Sequence, residues 1–170
     1  MKTIIYLALL FMAQSCNSQV KTCECEGFLI LDNESISLYP SADSKGNELY
    51  VIKNDSINEI YYNFFISESK ENLLKVVPTS INDSLKKTGW IRNKYVGIYS
   101  KNYNRPLNLY SEANNQSKKR HIIDEYITEP LTIITCSKKW LYVSVMIKSS
   151  KYEGWMAPED QCANVYSTCN

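Results

Sequence analysis

The chain has 170 residues, and its 19 lysines and arginines nearly balance its 18 aspartates and glutamates. This balance argues against nucleic acid or an anionic membrane surface as a partner, since both require an excess of positive charge. Thirteen tyrosines, many Ile, Val and Thr residues and only five glycines and five prolines favour strands over helices. No sustained helical period follows the first apolar segment, so we predict an all-β protein.

The N-terminus has the features of a secretory signal. A short basic start precedes the apolar run Ile4–Ala13, which is too short to span a bilayer and long enough for a signal peptide. Cys16 follows the small residue Ser15, which is typical of a bacterial lipoprotein whose new N-terminal cysteine carries lipid; the alternative is ordinary secretion with cleavage near Ser15 or Ser18. We therefore predict an extracytoplasmic protein, periplasmic, membrane-anchored through Cys16, or secreted, with a signal peptide over 1–15 and a tether over 16–26.

The mature chain contains a tandem repeat with a period of roughly seventy residues, the size of a small domain. The predicted strands of the first repeat are, in chain order, Gly27–Leu29, Ile36–Tyr39, Leu73–Val77 and Thr88–Ile91. Their counterparts are Gly97–Tyr99, Leu107–Tyr110, Trp140–Val145 and Tyr152–Pro158. The predicted loops are 40–47, 79–87, 101–105 and 112–120. No linker separates the repeats, so we expect two abutting domains over 27–96 and 97–170.

These residues resemble the bacterial Src-homology-3-type fold. In that family a Leu-Tyr pair opens a long loop, a Trp-Leu-x-Val strand forms a wall, and a Gly-Trp or Gly-Tyr pair precedes a short helical turn and a last strand. The second repeat carries the pattern at Leu109, Tyr110, Trp140, Leu141, Val143, Gly154, Trp155 and Pro158, and the first at Leu38, Tyr39, Leu74, Val76, Gly89, Trp90 and Tyr95. The first repeat departs from it at Leu73, where the wall aromatic is missing, and at Asn93, where the proline is missing. The resemblance covers nearly the whole chain after residue 27 and implies two tandem, partly open β-barrels.

The resemblance also implies a shallow aromatic groove that binds an extended peptide or a glycan strand. By position, the groove residues would be Tyr110, Trp140, Pro158 and Tyr166 in the second repeat, and Tyr39 and Tyr95 in the first. Because the first repeat lacks the wall aromatic and the proline, we expect the groove to function mainly in the second repeat. Tyr110 and Trp140 could instead belong to the core, and we expect Trp90 and Trp155 to be packing residues.

Five cysteines besides Cys16 lie in a predicted compartment where disulfides persist. A bridge between Cys136 and Cys162 within the second repeat is our first prediction, with Cys169 then joined to Cys23 or Cys25. In the alternative, Cys162 and Cys169 close a small loop and Cys136 is a buried thiol. We expect no metal, since a Cys-x-Cys spacing is unusual for zinc and the chain has a single histidine.

We expect no enzymatic activity and no cofactor. His121 lies in the basic run Ser117–His121, whose ordinary role is a solvated loop tip and whose alternative role is contact with an anionic partner. No sequence context of a known active site surrounds His121, although Glu159 and Asp160 form a pair of carboxylates. The leading hypothesis is therefore a cell-envelope module that binds cell-wall peptide or glycan, or a protein partner. The alternative is an inhibitor or immunity-type protein that blocks a secreted enzyme or toxin.

Overall fold

The computed structural model describes residues 19–31, 34–43, 47–81 and 87–166; the predicted signal peptide, Cys16 and Cys169 lie outside these ranges. The described residues form strands and two 3₁₀ turns, η1 and η2, so the all-β prediction is confirmed. None of the described segments forms a helix long and apolar enough to cross a membrane. The first seven strands are β1 (Lys21–Leu29), β2 (Ile36–Leu38), β3 (Tyr50–Ile52), β4 (Asn63–Lys70), β5 (Leu73–Thr79), β6 (Gly89–Arg92) and, after η1 (Asn93–Tyr95), β7 (Val96–Ser100). The remaining elements are β8 (Leu107–Tyr110), β9 (Lys119–Ile123), β10 (Leu131–Ser137), β11 (Trp140–Ile147), β12 (Ser150–Met156), η2 (Pro158–Asp160) and β13 (Gln161–Cys162).

One order of strand pairing occurs twice along the chain. In the first unit, β1 pairs with β4 and β7, β4 pairs with β5, β5 pairs with β6, and β2 and β3 form a hairpin. In the second unit, β7 pairs with β10 and β13, β10 pairs with β11, β11 pairs with β12, and β8 and β9 form the hairpin. Strand β7 therefore ends the first unit and begins the second, which explains why the sequence contains no linker.

The main sheet of the described residues is open. Its strands follow the order β6-β5-β4-β1-β7-β10-β11-β12-β8-β9, with β13 beside β7, and it does not close into a barrel. Buried residues of both units form one hydrophobic cluster, since Phe64 and Leu74 of the first unit belong to the same cluster as Leu131 and Leu141 of the second. Alternation along β11 accounts for the last of these positions, because Leu141, Val143 and Val145 are buried while the residues between them are half-buried.

The pairing registers show which residues of the two units are equivalent. Arg92, the partner of Leu73, immediately precedes η1. Met156, the partner of Leu141, lies two residues before η2, so the position immediately before η2 lies opposite Trp140. Leu73 therefore corresponds to Trp140, and Asn93 corresponds to Pro158 because these two residues begin the turns. The sequence alignment of Gly27 with Gly97 is wrong by one residue. Phe28 pairs with Gly97 in the first unit and Tyr99 pairs with Cys162 in the second, so Phe28 corresponds to Tyr99. The glycine at position 97 is explained by close packing, because a Cβ there would lie 2.7 Å from the side chain of Ile30.

The N-terminal half of β1 is part of the sheet, so the prediction of a tether is wrong for 21–26. The Glu24 N–H donates to the Lys138 carbonyl at 2.7 Å, and the Lys138 N–H donates to the Thr22 carbonyl at 3.0 Å. These hydrogen bonds join β1 to the turn between β10 and β11. The first unit therefore supplies a strand that lies directly against the second.

The predicted bridge between Cys136 and Cys162 is wrong, because Cys136 is bonded to Cys23, with a Cα–Cα distance of 5.8 Å. The reason is the position of β1, which brings Cys23 to the fully buried Cys136 from 113 residues away. Cys162 is also disulfide-bonded. Cys25 is a buried free thiol.

Candidate functional site

A cleft of about 580 Å³ lies where β1, the β10–β11 turn and η2 meet. We call it the Trp140 cleft; it is lined by Thr22, Cys23, Glu24, Lys138, Lys139, Trp140 and Pro158. Its wall from β1 belongs to the first unit, and the rest belongs to the second. The cleft is therefore shared by both units, and the Cys23–Cys136 bridge lies at its wall.

Two predicted groove residues, Trp140 and Pro158, line this cleft, and a third, Tyr110, packs against Trp140. Trp140 is the first residue of β11, and the alternation that buries Leu141 turns Trp140 to the outer face of the sheet. The Tyr110 ring stands almost perpendicular to the Trp140 ring, with centroids 5.5 Å apart and an interplanar angle of 85°. Pro158 begins η2, where its restricted φ suits the first position of a helical turn. All three side chains are half-buried, so they offer contact area to a ligand as well as to the sheet.

Two further aromatic side chains extend the surface. Trp155 pairs with Tyr110 on one side and with Tyr142 on the other, and the Tyr142 and Trp155 rings meet edge to face at 5.4 Å. Close approach of β8 to β12 depends on Gly154, where a Cβ would lie 2.9 Å from the Leu109 Cβ. We refer to Tyr110, Trp140, Tyr142 and Trp155 as the aromatic cluster.

Sequence reasoning did not select Tyr142 as a site residue and assigned Trp155 to packing. Trp155 is half-buried on the outer face, whereas its counterpart Trp90 is only 7% exposed and is a packing residue as predicted. The signal for Tyr142 was present, because residues two apart in a strand share a face and Trp140 was already selected. The signal for Trp155 was absent, since the same Gly-Trp pair is buried in one unit and half-exposed in the other.

Positive side chains surround the aromatic cluster. The Lys21 Nζ lies 5.7 Å from the centroid of the Trp155 ring, and an Arg120 guanidinium N–H donates to the Tyr142 hydroxyl at 3.0 Å. Lys119 pairs directly with Tyr110 in the β8–β9 ladder. The prediction of a loop at this basic run is wrong for Lys119 and Arg120, because both lie in β9.

His121, also predicted to lie in a loop, is in β9 as well. Its ring meets the Tyr152 ring edge to face at 5.2 Å. This contact with an aromatic neighbour gives the side chain a packing role.

The equivalent place in the first unit is smaller and contains Tyr39 and Tyr95. A cleft of about 310 Å³ lies there, lined by Ser35, Ile36, Ser37, Tyr39, Arg92 and Tyr95. Asn93 stands where the second unit has Pro158, and its side chain donates to the Ile134 carbonyl of β10 at 2.9 Å. The departure from the family pattern therefore has a structural cause, since Asn93 ties the first unit to the second.

Tyr166 does not line the Trp140 cleft. It is 44% exposed and meets Tyr61 of the first unit edge to face, with ring centroids 5.4 Å apart. The chain continues past β13 toward a different opening, which is lined by Phe65, Lys101 and the residues Gln161–Asn164. The placement of Tyr166 in the groove of the second repeat is therefore wrong.

Asp160, one of the two carboxylates that follow Pro158, has a structural role. Asp160 is buried, and an Arg105 guanidinium nitrogen lies 2.6 Å from its carboxylate. Burial raises the pKa of Asp160 above its ordinary value of 3.8, although Arg105 acts in the opposite direction. The Asp160 carbonyl accepts a hydrogen bond from the Lys101 N–H at 2.8 Å, so Asp160 secures η2 and with it Pro158.

The buried thiol of Cys25 lies behind the same cleft. It donates to the Lys138 carbonyl at 3.2 Å, and burial raises its pKa to about 12. A thiol with this pKa is protonated at neutral pH and is a poor nucleophile. Cys25 therefore acts as a packing residue between β1 and the β10–β11 turn.

Over the described ranges, no group of three or more His, Cys, Asp or Glu side chains could hold a metal ion. No family model, no curated protein and no solved structure matches the chain.

Proposed function

We propose that this chain is a non-enzymatic binding protein of the bacterial cell envelope. Its two units would be Src-homology-3-like, partly open barrels. The support for this is the repeated order of a strand, a hairpin, three antiparallel strands, a 3₁₀ turn and a closing strand. The location rests on the N-terminal sequence, in which Cys16 would carry a lipid; on the alternative, the chain would be secreted after cleavage near Ser15 or Ser18.

The observation that carries the proposal is a cleft lined by Trp140 and Pro158, with the Tyr110 ring packed against Trp140. Perpendicular aromatic rings beside a proline form a groove with rigid walls, so a ligand loses little affinity to ordering of the protein. Such a groove suits an extended chain, either a peptide or a glycan strand of the cell wall, or a segment of an envelope protein. No cofactor is needed for this role.

Sedimentation with purified cell-wall sacculi tests the proposal. We expect Tyr110→Ala to weaken binding more than tenfold, since a packed aromatic anchor is commonly worth about 2 kcal/mol or more on truncation. Tyr39→Ala is the matched control and should change binding little, because the cleft at Tyr39 is smaller and lacks the wall aromatic. Circular dichroism must first show that both variants are folded.

Two results would change the proposal. Equal loss from Tyr110→Ala and Tyr39→Ala would indicate a composite surface that includes both clefts. No loss from either substitution would leave the Trp140 cleft without a role in wall binding.

One observation favours the second function, an inhibitor or immunity-type protein. Tyr103 and Tyr126 are 59% and 40% exposed, and their rings meet edge to face at 5.4 Å on neighbouring loops. Exposed tyrosines of this kind are common anchors at protein interfaces. A gene for a toxin or protease next to this one would identify the enzyme to assay. Its inhibition by the wild-type chain but not by Tyr103→Ala would then support this function.

A further inference from the structure

The Trp140 cleft and the aromatic cluster are bordered by positive charge on three sides. The strands and turns that supply it are β1, β9 and the β10–β11 turn, and the five side chains are Lys21, Lys119, Arg120, Lys138 and Lys139. All five residues are exposed. The chain as a whole is nearly neutral, so this face has a charge that the composition does not reveal.

Few carboxylates compensate the positive charge on this face. Among the described residues, none of the five cations lies within ion-pair distance of a carboxylate. Glu24 is the one acidic side chain that lines the cleft, and Glu153 on β12, which is paired with Lys151 at 2.6 Å, also attracts Arg120 at longer range. Arg120 uses one N–H on the Tyr142 hydroxyl and keeps others for a further acceptor.

From this arrangement we infer that the ligand of the Trp140 cleft is an acidic polypeptide segment in extended conformation. The inference rests on the proposed binding function of the cleft and adds the chemistry of its ligand. Apolar or proline residues of the segment would pack against the exposed parts of the Trp140 and Tyr110 rings. Glutamates or aspartates on either side would meet Lys139 and Lys21 toward β1, and Lys119 and Arg120 toward β9.

The shape of the face favours a peptide over a bilayer. Surfaces that enter a membrane present protruding apolar side chains at the interface. None of the four aromatic-cluster residues belongs to the highly exposed hydrophobic side chains of the described residues. Trp140 instead lines the cleft, and the Tyr110 ring packs against it at 85°. A groove of this kind accepts the narrow cross-section of an extended or polyproline-type segment.

The charges make two features of binding predictable. Attraction between exposed charges extends about 10 Å at 0.1 M salt and about 3 Å at 1 M, so affinity for an acidic segment should fall steeply as salt is added. Close opposite charges across an interface contribute to the binding free energy. Reversal of one charge should therefore weaken binding about tenfold or more. A neutral segment of the same shape should retain only the aromatic contacts.

Fluorescence anisotropy with a labelled peptide tests the inference directly. The probe is a fluorescein-labelled peptide of about twelve residues that alternates glutamate and proline, a length of about 37 Å in polyproline II form. Its control replaces every glutamate with glutamine. We expect the glutamate peptide to bind at least about tenfold more tightly at low salt and to lose most of that advantage at 1 M sodium chloride. Equal affinity for the two peptides would overturn the inference.

Charge variants of the full chain locate the binding. Lys139→Glu and Arg120→Glu should each weaken binding of the glutamate peptide about tenfold, while Lys53→Glu, the same change at an exposed site of the first unit, should have no effect. Equal loss from all three would mean that net charge alone is sensed and would overturn the site. Because all three positions are exposed, we expect folded variants, and Lys139→Gln provides a milder second substitution.

Two competitors separate a peptide from other polyanions. Sodium polygalacturonate that displaces the probe at lower carboxylate concentration than the unlabelled peptide would overturn the peptide assignment in favour of an acidic glycan. Phosphatidylglycerol vesicles that sediment the wild-type chain but not Lys139→Glu would overturn it in favour of a membrane surface. Failure of the inference differs from failure of the proposed function: Tyr110→Ala would still reduce sacculus binding while Lys139→Glu would leave it unchanged.

Discussion

The Cys23–Cys136 bridge joins the two units, and its removal should be the most damaging single change to stability. The bridge spans 113 residues, and the loop-entropy relation for a loop of this length gives about 5 kcal/mol. A bridge from Cys136 to Cys162 would close a loop of roughly 26 residues and would contribute only about 3.5 kcal/mol. With an m-value of about 2 kcal/mol per molar urea, Cys136→Ala should lower the unfolding midpoint by about 2.5 M.

The assay compares Cys136→Ala with Cys25→Ala under non-reducing conditions. Both substitutions remove one buried sulfur from the region between β1 and the β10–β11 turn, but only the first removes the bridge. Urea unfolding followed by tryptophan fluorescence reports both stability and the environment of Trp140. Mass spectrometry of alkylated peptides should recover Cys23 joined to Cys136, with Cys25 alkylated only after denaturation.

The bridge also supports the binding site. After its loss, Thr22 and Glu24 are held against Lys138 by two backbone hydrogen bonds, so the β1 wall of the Trp140 cleft should loosen and ligand affinity should fall. A peptide that joins Cys136 to Cys162 would refute the reasoning. So would equal urea midpoints for Cys136→Ala and Cys25→Ala.

Three further results are expected. Burial raises the pKa of Asp160 in the folded state, so the folded state binds this proton more tightly than the unfolded chain; the free energy of unfolding should decrease as pH rises from 3.8 through the folded-state pKa, and Asp160→Asn should remove that slope in urea titrations. Asn93→Pro should cost about 2 to 3 kcal/mol in urea unfolding because it breaks hydrogen bonds to the Asn72 and Ile134 carbonyls, and a cost near zero would show that those bonds contribute nothing. Cys16→Ala should move the protein from the membrane to the soluble fraction, and a wild-type chain that is already soluble would reject lipidation.

Much of the candidate site followed from local patterns. The alternation through Trp140, Leu141 and Tyr142 indicates which side chains face outward, because successive residues of a strand point to opposite faces. The Leu-Tyr and Gly-Trp pairs occur in both repeats. Their spacing places Tyr110 and Trp140 in two strands that each have a counterpart in the first repeat. The comparison of repeats also identified Leu73 and Asn93 as the positions where the first unit differs, and the strand registers place them opposite Trp140 and Pro158.

The errors share a cause, which is that each depended on a pairing or packing partner that composition and chain position do not reveal. Tyr166 was assigned to the groove by its place after η2, but it packs on Tyr61, more than one hundred positions earlier. Lys119 and Arg120 have the composition of a solvated loop, yet the ladder with β8 makes them strand residues beside the aromatic cluster. Composition describes the solvent preference of such residues and does not report which strand they pair with.

The amino-acid sequence by itself determined that this protein is all-β and that it is built from a repeat, because these properties depend on strand periodicity and short motifs. The grouping of Tyr110, Trp140 and Pro158 followed from the resemblance to the bacterial Src-homology-3-type pattern. Only the tertiary structure decided that β7 serves both units, that Cys136 is bonded to Cys23, and that Lys21 stands over Trp155. These features all depend on where β1 enters the sheet. That position is selected by burial of Cys23 and Cys25 and by hydrogen bonds to Lys138, more than one hundred residues away, and no local pattern encodes it.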